Sequence, residues 1–220
     1  MKNIFLDIKI NKQLKNFQKF KANYKFKHKE IKQNEDGSVF CDGVCFKEKE
    51  GANLLGETEN LLNVGFNIRN TQSRIISNLF PYSFYFNGVK VASIESVFQS
   101  LKYKNKTLQK MVFKYSGIES NLIKGASDYN WRETGYLYFL GKQINRFGKD
   151  YENFIDKLYI SAVQNKLYKN ALLNVGNKHI IHTIGETSTK ETLFTQQEFE
   201  NELNCLKDFL IFENTKKEGK

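Results

Sequence analysis

Proline, cysteine, arginine and tryptophan are scarce in this sequence of 220 residues, and each scarcity limits what the chain can be. A single proline leaves no rigid, proline-rich linker between domains. Three cysteines leave at least one unpaired, which argues against a disulfide framework and fits a reducing cytoplasm. No apolar run is long enough to span a membrane, and the N-terminus lacks a signal-peptide core. These absences predict a cytoplasmic protein with no membrane partner.

Basic charge is abundant but unevenly distributed. The whole chain has a net charge of +10, and residues 1–32 account for +8 of it, with ten lysines against Asp7 and Glu30. Such a segment can hold the phosphates of DNA or RNA loosely. It lacks arginine and any recognised nucleic-acid motif, so a solvated lysine face is the preferred interpretation. Contact with DNA or RNA through this lysine-rich N-terminus stays open as an alternative.

Turn residues between apolar runs predict several β-hairpins. Asn87-Gly88 favours a hairpin over residues 83–91, because both central residues of its two-residue turn must take positive φ. Two further hairpins and a half-buried strand are predicted from similar patterns, at Asp42-Gly43, at Gly141-Lys142 and over Tyr24, Phe26 and His28.

Apolar residues at helical spacing predict that helix predominates elsewhere. Residues 151–162 carry a long apolar stripe, Thr107 is expected to cap a helix, and Gly176 to end one. The sequence from Thr195 to Glu198 is typical of a capping box before a final helix. We therefore expect an α+β fold. Its predicted parts are a lysine-rich N-terminal extension over residues 1–62, a body over residues 63–212 and a polar tail over residues 213–220.

The most informative segment is residues 93–102, SIESVFQSLK. Ser93 is predicted to cap a helix whose apolar stripe faces the core. Glu95, Gln99 and Lys102 stand at i, i+4 and i+7 and so line up on one neighbouring face. A carboxylate in the first turn, beside an apolar floor, can be held rigidly against a ligand. On spacing alone a solvated Glu/Gln/Lys face is the alternative.

This segment, together with residues 74–81 and the hairpin between them, resembles the NADAR family (NAD and ADP-ribose, also called YbiA-like). Members show a pattern close to LSNFxP, then a glycine, then EHxFQxxK; this chain reads RIISNLFP and, from residue 94, IESVFQSLK. Trp131 resembles the single tryptophan of the family, and residues 172–177, LLNVGN, resemble its LLxTG segment. The resemblance spans residues 63–210 and implies a mainly helical YbiA-like body. Ser96 departs from the pattern, because many members have histidine there.

The resemblance implies a hydrolase of N-glycosidic bonds in ADP-ribose-linked or ribose-phosphate compounds. Its substrate would be a nucleotide sugar or ADP-ribosylated compound, such as an ADP-ribosylated nucleobase or an intermediate of riboflavin synthesis. A fixed carboxylate stabilises the positive charge that develops on the sugar, and a second can activate water or protonate the leaving group. The resemblance assigns these roles to Glu95 and Glu191, and it implies no metal or redox cofactor.

Five further residues are predicted to bind substrate. Trp131 would stack on a nucleobase, and the others would bind ribose hydroxyls or phosphates. The residues are Trp131, Asn78, Gln99 and Lys102, by resemblance, and Arg69, by its position. Glu191 can alternatively be a loop residue or a charge preceding the final helix. Trp131 can alternatively be an anchor between helices.

Two other classes of function stay open from the sequence. One is a sensor that binds NAD or ADP-ribose without chemistry. The other is a nucleic-acid-binding protein in which the lysine-rich extension makes the contact. Zinc is disfavoured, because Cys41, Cys45 and His28 offer no fourth ligand. The sequence leaves the oligomeric state open.

Overall fold

The structure, a computed structural model, describes residues 2–47 and 55–218. The chain divides into two compact units. The first unit comprises Met1–Lys19 and Asn78–Lys169, and the second comprises Phe20–Ser77 and Asn170–Lys220.

More of the described residues lie in helices than in strands, and the strands form small sheets. The helices of the described residues are α1 (Lys2–Lys21), α2 (Thr71–Ile76), α3 (Ile94–Ser100), α4 (Lys106–Val112), α5 (Gly117–Leu122), α6 (Trp131–Thr134), α7 (Lys149–Ala162), α8 (Lys166–Asn174) and α9 (Gln196–Glu218). The strands are β1 (Ile31–Gln33), β2 (Val39–Cys41), β3 (Val44–Lys47), β4 (Leu61–Asn63), β5 (Phe84–Phe86), β6 (Val89–Val91), β7 (Tyr136–Phe139), β8 (Lys142–Asn145) and β9 (His179–Ile181). This mixture confirms the α+β prediction.

The first unit contains the β5–β6 and β7–β8 hairpins. The first hairpin turns at Asn87 and Gly88, both with positive φ, as predicted. The second turns at Leu140 and Gly141, one residue earlier than the predicted position. Both hairpins are therefore confirmed.

An aromatic cluster links these hairpins to α7 in the core of the first unit. Phe86, Phe139 and Phe154 meet edge to face, with ring centroids 5.0 to 5.2 Å apart. Helix α3 adds its predicted apolar stripe, in which Ile94 and Val97 are fully buried. This packing fixes the rotation of α3 and thereby the direction of its other faces.

The described residues of the second unit form two sheets. Strands β1, β2 and β3 form an antiparallel sheet, in which β2 and β3 are joined by the predicted turn at Asp42 and Gly43. Strands β4 and β9 pair in parallel, with Leu62 opposite Ile180. Helix α9 packs on β9 and begins with the predicted capping box of Thr195 and Glu198.

Two local predictions are wrong. Residues 24–30 form no strand; instead Tyr24 donates a hydrogen bond to Asp208 on α9, at 2.6 Å. Tyr24 is half-buried, but Phe26 and His28 are exposed, so the alternation in the sequence does not correspond to a buried face. Helix α4 is capped by Asn105, whose side chain accepts from the backbone N–H of Thr107. Thr107 thus lies within the first turn.

Helix α1 was not anticipated, because the lysine-rich sequence of its region obscures the apolar residues that face inward. Its buried residues include Ile10 and Phe17. The predicted division into extension, body and tail stays a prediction. No helix in the described portion combines the length and apolar character that crossing a membrane requires.

Candidate functional site

The candidate site lies on α3, whose first turn is fixed by two serines. Ser93 caps the helix by accepting a hydrogen bond from the backbone N–H of Ser96, at 3.0 Å. The Ser96 hydroxyl donates back to the Ser93 carbonyl, at 2.8 Å. Ser96, which replaces a histidine of the NADAR pattern, is therefore a buried capping residue.

The same turn ties α3 to the segment that precedes the β5–β6 hairpin. The backbone N–H of Glu95 donates to the carbonyl of Asn78, at 3.0 Å. Helix α5 also begins against this segment: a β-carbon at Gly117 would lie 2.1 Å from the carbonyl oxygen of Leu79. Because only glycine allows so close an approach, the backbone next to Asn78 is held from two sides.

Side chains at i, i+4 and i+7 of α3 form a continuous hydrogen-bonded chain. Gln99 Nε2 donates to Glu95 Oε1 at 2.6 Å, and Lys102 Nζ donates to Gln99 Oε1 at 2.8 Å. Lys102 Nζ also donates to the carbonyl of Lys124, at 2.6 Å. Gln99 and Lys102 are each 7% exposed. This burial excludes the alternative of a solvated face.

Burial perturbs both ionisable groups of this chain. It raises the pKa of Glu95, against the hydrogen bond from Gln99 and the positive charges of Lys102 and Lys124. It lowers the pKa of Lys102 to about 8, against the attraction of Glu95 and together with the repulsion of Arg132 and Lys124. The site thus combines one carboxylate, that of Glu95, with three cationic side chains, Lys102, Lys124 and Arg132. This excess of positive charge favours an anionic ligand.

Asn78 is oriented by Tyr159, a residue that the sequence analysis missed. The Tyr159 hydroxyl donates to Asn78 Oδ1, at 2.8 Å. Since the amide oxygen is engaged, the Nδ2 hydrogens of Asn78 are the groups that it can offer to a ligand. In the sequence Tyr159 belongs to the apolar stripe of α7. Its hydroxyl is the signal of a further role, because a buried hydroxyl needs a hydrogen-bond partner.

Trp131 begins α6 and is 3% exposed. Lys102 Nζ lies 5.8 Å, and Arg132 Cζ 4.7 Å, from the centroid of its ring. Trp131 is therefore adjacent to the lysine end of the α3 chain. Stacking of a nucleobase on the indole stays a prediction, and it requires the side chains that cover the ring to move.

The structure brings five of the seven predicted residues into the first unit. They are Asn78, Glu95, Gln99, Lys102 and Trp131. Arg69 and Glu191 lie in the second unit, and both are exposed. Their participation in the site stays a prediction. No group of three or more histidine, cysteine or carboxylate side chains arranged to hold a metal ion occurs among the residues described.

Sequence comparison connects this site to a family. The family described as bacteriophage protein GP30.3 matches residues 70–208, which is more than half of the chain. The chain belongs to the bacteriophage GP30.3 family. The matched span includes all five site residues of the first unit, and it excludes Arg69 and α1.

Two individual proteins are similar to this chain. An uncharacterized 17.1 kDa protein from the Gp30-rIII intergenic region of Enterobacteria phage T4 is 30% identical over 137 residues, covering 61% of this chain and 90% of that relative. The NMR structure of the Escherichia coli protein YbiA aligns with a TM-score of 0.49 and 12% identity, over 72% of this chain and 89% of YbiA. Membership in the NADAR family stays a prediction.

Proposed function

We propose that this member of the GP30.3 family is an N-glycosidase, a hydrolase acting on ADP-ribose-linked or ribose-phosphate N-glycosides. The observation that carries the proposal is the chain Glu95–Gln99–Lys102, in which a half-buried carboxylate is oriented by a buried amide and a buried amine. The motif resemblance to NADAR proteins assigns the chemistry to the same glutamate. Rigid placement of a carboxylate is what the reaction requires.

In the proposed reaction the bond between C1′ of ribose and the base nitrogen breaks, and both electrons stay on the nitrogen. The ionised Glu95 carboxylate stabilises the positive charge that develops at C1′. A water oxygen then bonds to C1′. Glu95 accepts a proton from this water and passes it to the departing nitrogen, so the products are free ribose hemiacetal and the protonated base. The raised pKa of Glu95 makes this uptake of a proton easier.

The cations around Glu95 support a substrate that carries phosphate. Lys102, Lys124 and Arg132 all act on the ionisation of groups in the α3 chain. Charge-assisted hydrogen bonds from such side chains hold phosphate oxygens well. Asn78 would donate to a ribose hydroxyl, and by resemblance Trp131 would stack on the base. Glu191 and Arg69 are proposed as a second carboxylate and a phosphate ligand on sequence grounds.

A sensor that binds ADP-ribose without cleaving it is the second candidate. Two observations favour it: Oε1 of Glu95 already accepts from Gln99, and Ser96 caps α3 where many NADAR members carry histidine. If that histidine takes part in catalysis elsewhere, this chain would keep the binding residues and lack the chemistry.

A mass-spectrometric product assay distinguishes the two. Purified protein would be offered ADP-ribosylated guanine in DNA, NAD, free ADP-ribose and riboflavin-pathway intermediates. Glu95→Gln would be assayed in parallel, with Glu200→Gln in the second unit as a matched control. Release of base or sugar from one substrate, lost only in Glu95→Gln, is the expected result. Saturable ADP-ribose binding with no product from any substrate would reject the enzyme and support the sensor.

A further inference from the structure

Helix α1 presents lysines along one side. Lys9, Lys12, Lys15 and Lys19 are all exposed. At 100° per residue these positions fall within an arc of about 120° on the helix surface. The exposed Asn16 falls on the same arc and adds no charge. We call these four lysines the lysine face.

The other side of α1 is docked on the first unit. Ile10 and Phe17 are 2% and 0% exposed. Two side-chain hydrogen bonds to the α7 region flank them: Gln164 Nε2 donates to Gln13 at 3.0 Å, and Gln18 Nε2 donates to Asn153 at 3.0 Å. This packing and these hydrogen bonds fix the rotation of α1 about its axis, and the lysine face therefore points to solvent.

The arc of α1 that carries Lys9, Lys12 and Lys15 holds no acidic residue. The sequence from residue 8 to residue 29 contains neither aspartate nor glutamate. Lys9 and Lys12 stand three residues apart, and so do Lys12 and Lys15, a spacing at which like charges repel. By contrast, the first turn of α7 pairs Lys149 with Glu152 at 2.6 Å. An anionic partner would relieve the repulsion within α1.

We propose that the lysine face binds the phosphate backbone of nucleic acid without reading sequence. With a rise of about 1.5 Å per residue, Lys9 and Lys19 are about 15 Å apart along the axis, a length over which a nucleic acid presents several phosphates. The four lysines carry charge but no planar donors, and this suits phosphate contact better than base recognition.

A lipid surface is the other polyanion to consider, and α1 fits it less well. Helices that lie in a membrane interface insert an apolar face between the lipids. The apolar side of α1 is already buried in the first unit. On the side that carries the lysine face, the described residues include one exposed apolar side chain, Ile8, at 60% exposure. A single isoleucine is too small an apolar surface to anchor a helix in lipid, so nucleic acid is the partner that the geometry favours.

This binding is independent of the proposed glycosidase. Helix α1 lies outside the region matched by the GP30.3 family, and none of its lysines is a proposed site residue. The test therefore uses unmodified oligonucleotides, and its result does not depend on catalysis.

The test compares two variants of equal charge in the full chain. One replaces Lys9, Lys12, Lys15 and Lys19 with glutamine. The control replaces four exposed lysines elsewhere in the first unit with glutamine, namely Lys110, Lys114, Lys142 and Lys166. Fluorescence anisotropy with a labelled 20-nucleotide strand and the matching duplex would be recorded at several salt concentrations. Circular dichroism would establish that both variants are folded.

Wild type is expected to bind with a micromolar Kd at low salt, roughly the range of non-specific binding. The lysine-face variant should bind at least about tenfold more weakly, and its salt slope should fall by about four. The control should stay within about twofold of wild type. In wild type, bound oligonucleotide should also protect the four lysines from acetylation, a readout that needs no variant.

Three results would overturn the proposal. The first is no binding of either oligonucleotide at low salt. The second is an equal loss in both variants, which would mean that net charge alone is responsible. The third is binding to vesicles containing phosphatidylserine that depends on the lysine face while oligonucleotide binding does not, which would identify a membrane surface as the partner.

Discussion

Helices α3 and α9 carry the same arrangement of polar residues and use it differently. Glu95, Gln99 and Lys102 on α3 have the spacing i, i+4, i+7, and so do Glu200, Asn204 and Lys207 on α9. Each set is an acid, an amide and a lysine on one helix face. In both helices the amide and the lysine are 7% exposed or less.

The α9 set bonds to the backbone of β9 and its flanks. Glu200 accepts from the N–H of His182 at 2.6 Å, and Lys207 Nζ donates to the carbonyl of Lys178 at 2.7 Å. Between them, Asn204 accepts from the N–H of Ile180 and donates to its carbonyl, both at 2.9 Å. The three side chains thus bond to every second residue from Lys178 to His182, as a neighbouring strand would.

The α3 set bonds mainly within itself. Its acid accepts from its amide, and its amide accepts from its lysine. Glu95 consequently stays half-buried with capacity for a further partner, whereas Glu200 is 4% exposed and serves the strand. The same spacing serves a structural role on α9, where the set bonds to a strand and its flanks. On α3, where the set bonds mainly within itself, we propose a binding role.

The largest effect that tests this comparison is on turnover. Glu95→Gln should lower kcat by about 10²- to 10⁴-fold, because the proposed mechanism requires an ionised carboxylate beside C1′. The melting temperature should change little, since glutamine can still accept from Gln99. Steady-state kinetics and thermal unfolding would measure both. If Glu95→Gln keeps near wild-type turnover, the proposed difference in function between the α3 and α9 sets is wrong.

Asn204→Leu should destabilise the chain by about 2 to 4 kcal/mol without a specific loss of ligand binding. The substitution leaves the buried N–H and carbonyl of Ile180 without their partner. Urea unfolding measures the change. Asn201→Ala on the same helix, at a partly exposed position, should stay within about 0.5 kcal/mol of wild type. If Asn204→Leu lowers the free energy of unfolding by no more than Asn201→Ala does, the α9 set has no structural role.

Lys102 should make ADP-ribose binding depend on pH near 8. Its pKa is lowered to about 8, so the amine is charged below that pH and neutral above it. Loss of one charge-assisted hydrogen bond should weaken binding roughly tenfold as the pH rises from 7 to 9. Titration calorimetry across this range would show the step. Lys102→Met should bind weakly at every pH, and a step that persists in this variant would assign it to another group.

Tyr159→Phe should raise the KM or Kd for the ligand about fivefold while kcat changes less. The hydroxyl orients Asn78 and is not itself proposed to touch the ligand. A double-mutant cycle with Asn78→Ala separates this role from general packing. If Tyr159 acts through Asn78, the two effects on binding should not add. Additive effects would show that the tyrosine contributes only to stability.

The smallest expected effect is on the pH dependence of stability at Glu200. Burial raises its pKa, so its contribution to folding is complete at low pH and is lost as the pH rises through the folded-state pKa. Glu200→Gln keeps an acceptor for the His182 N–H, and because glutamine does not ionise, the variant does not lose stability at this position as the pH rises. Its stability relative to wild type should therefore increase from pH 4 to pH 7.5 in urea unfolding. An unchanged difference would mean that Glu200 does not titrate in this range.

Local structure was largely predictable, because it depends on residues close in sequence. The hairpin at Asn87-Gly88, the cap at Ser93 and the capping box at Thr195 were all predicted from short patterns and confirmed. The failed strand over residues 24–28 shows the limit of this approach. Alternation alone does not provide the neighbouring strand that pairing requires.

The sequence by itself determined the α+β class and the alignment of Glu95, Gln99 and Lys102 on one helix face, since helical periodicity requires nothing beyond the helix. Only the tertiary structure decided that this set is buried and bonded to itself. Only the tertiary structure, too, showed that the equally spaced set on α9 is bonded to a strand. The reason is physical: spacing determines which side chains lie together, and the element packed against them determines which of their hydrogen bonds remain for a ligand.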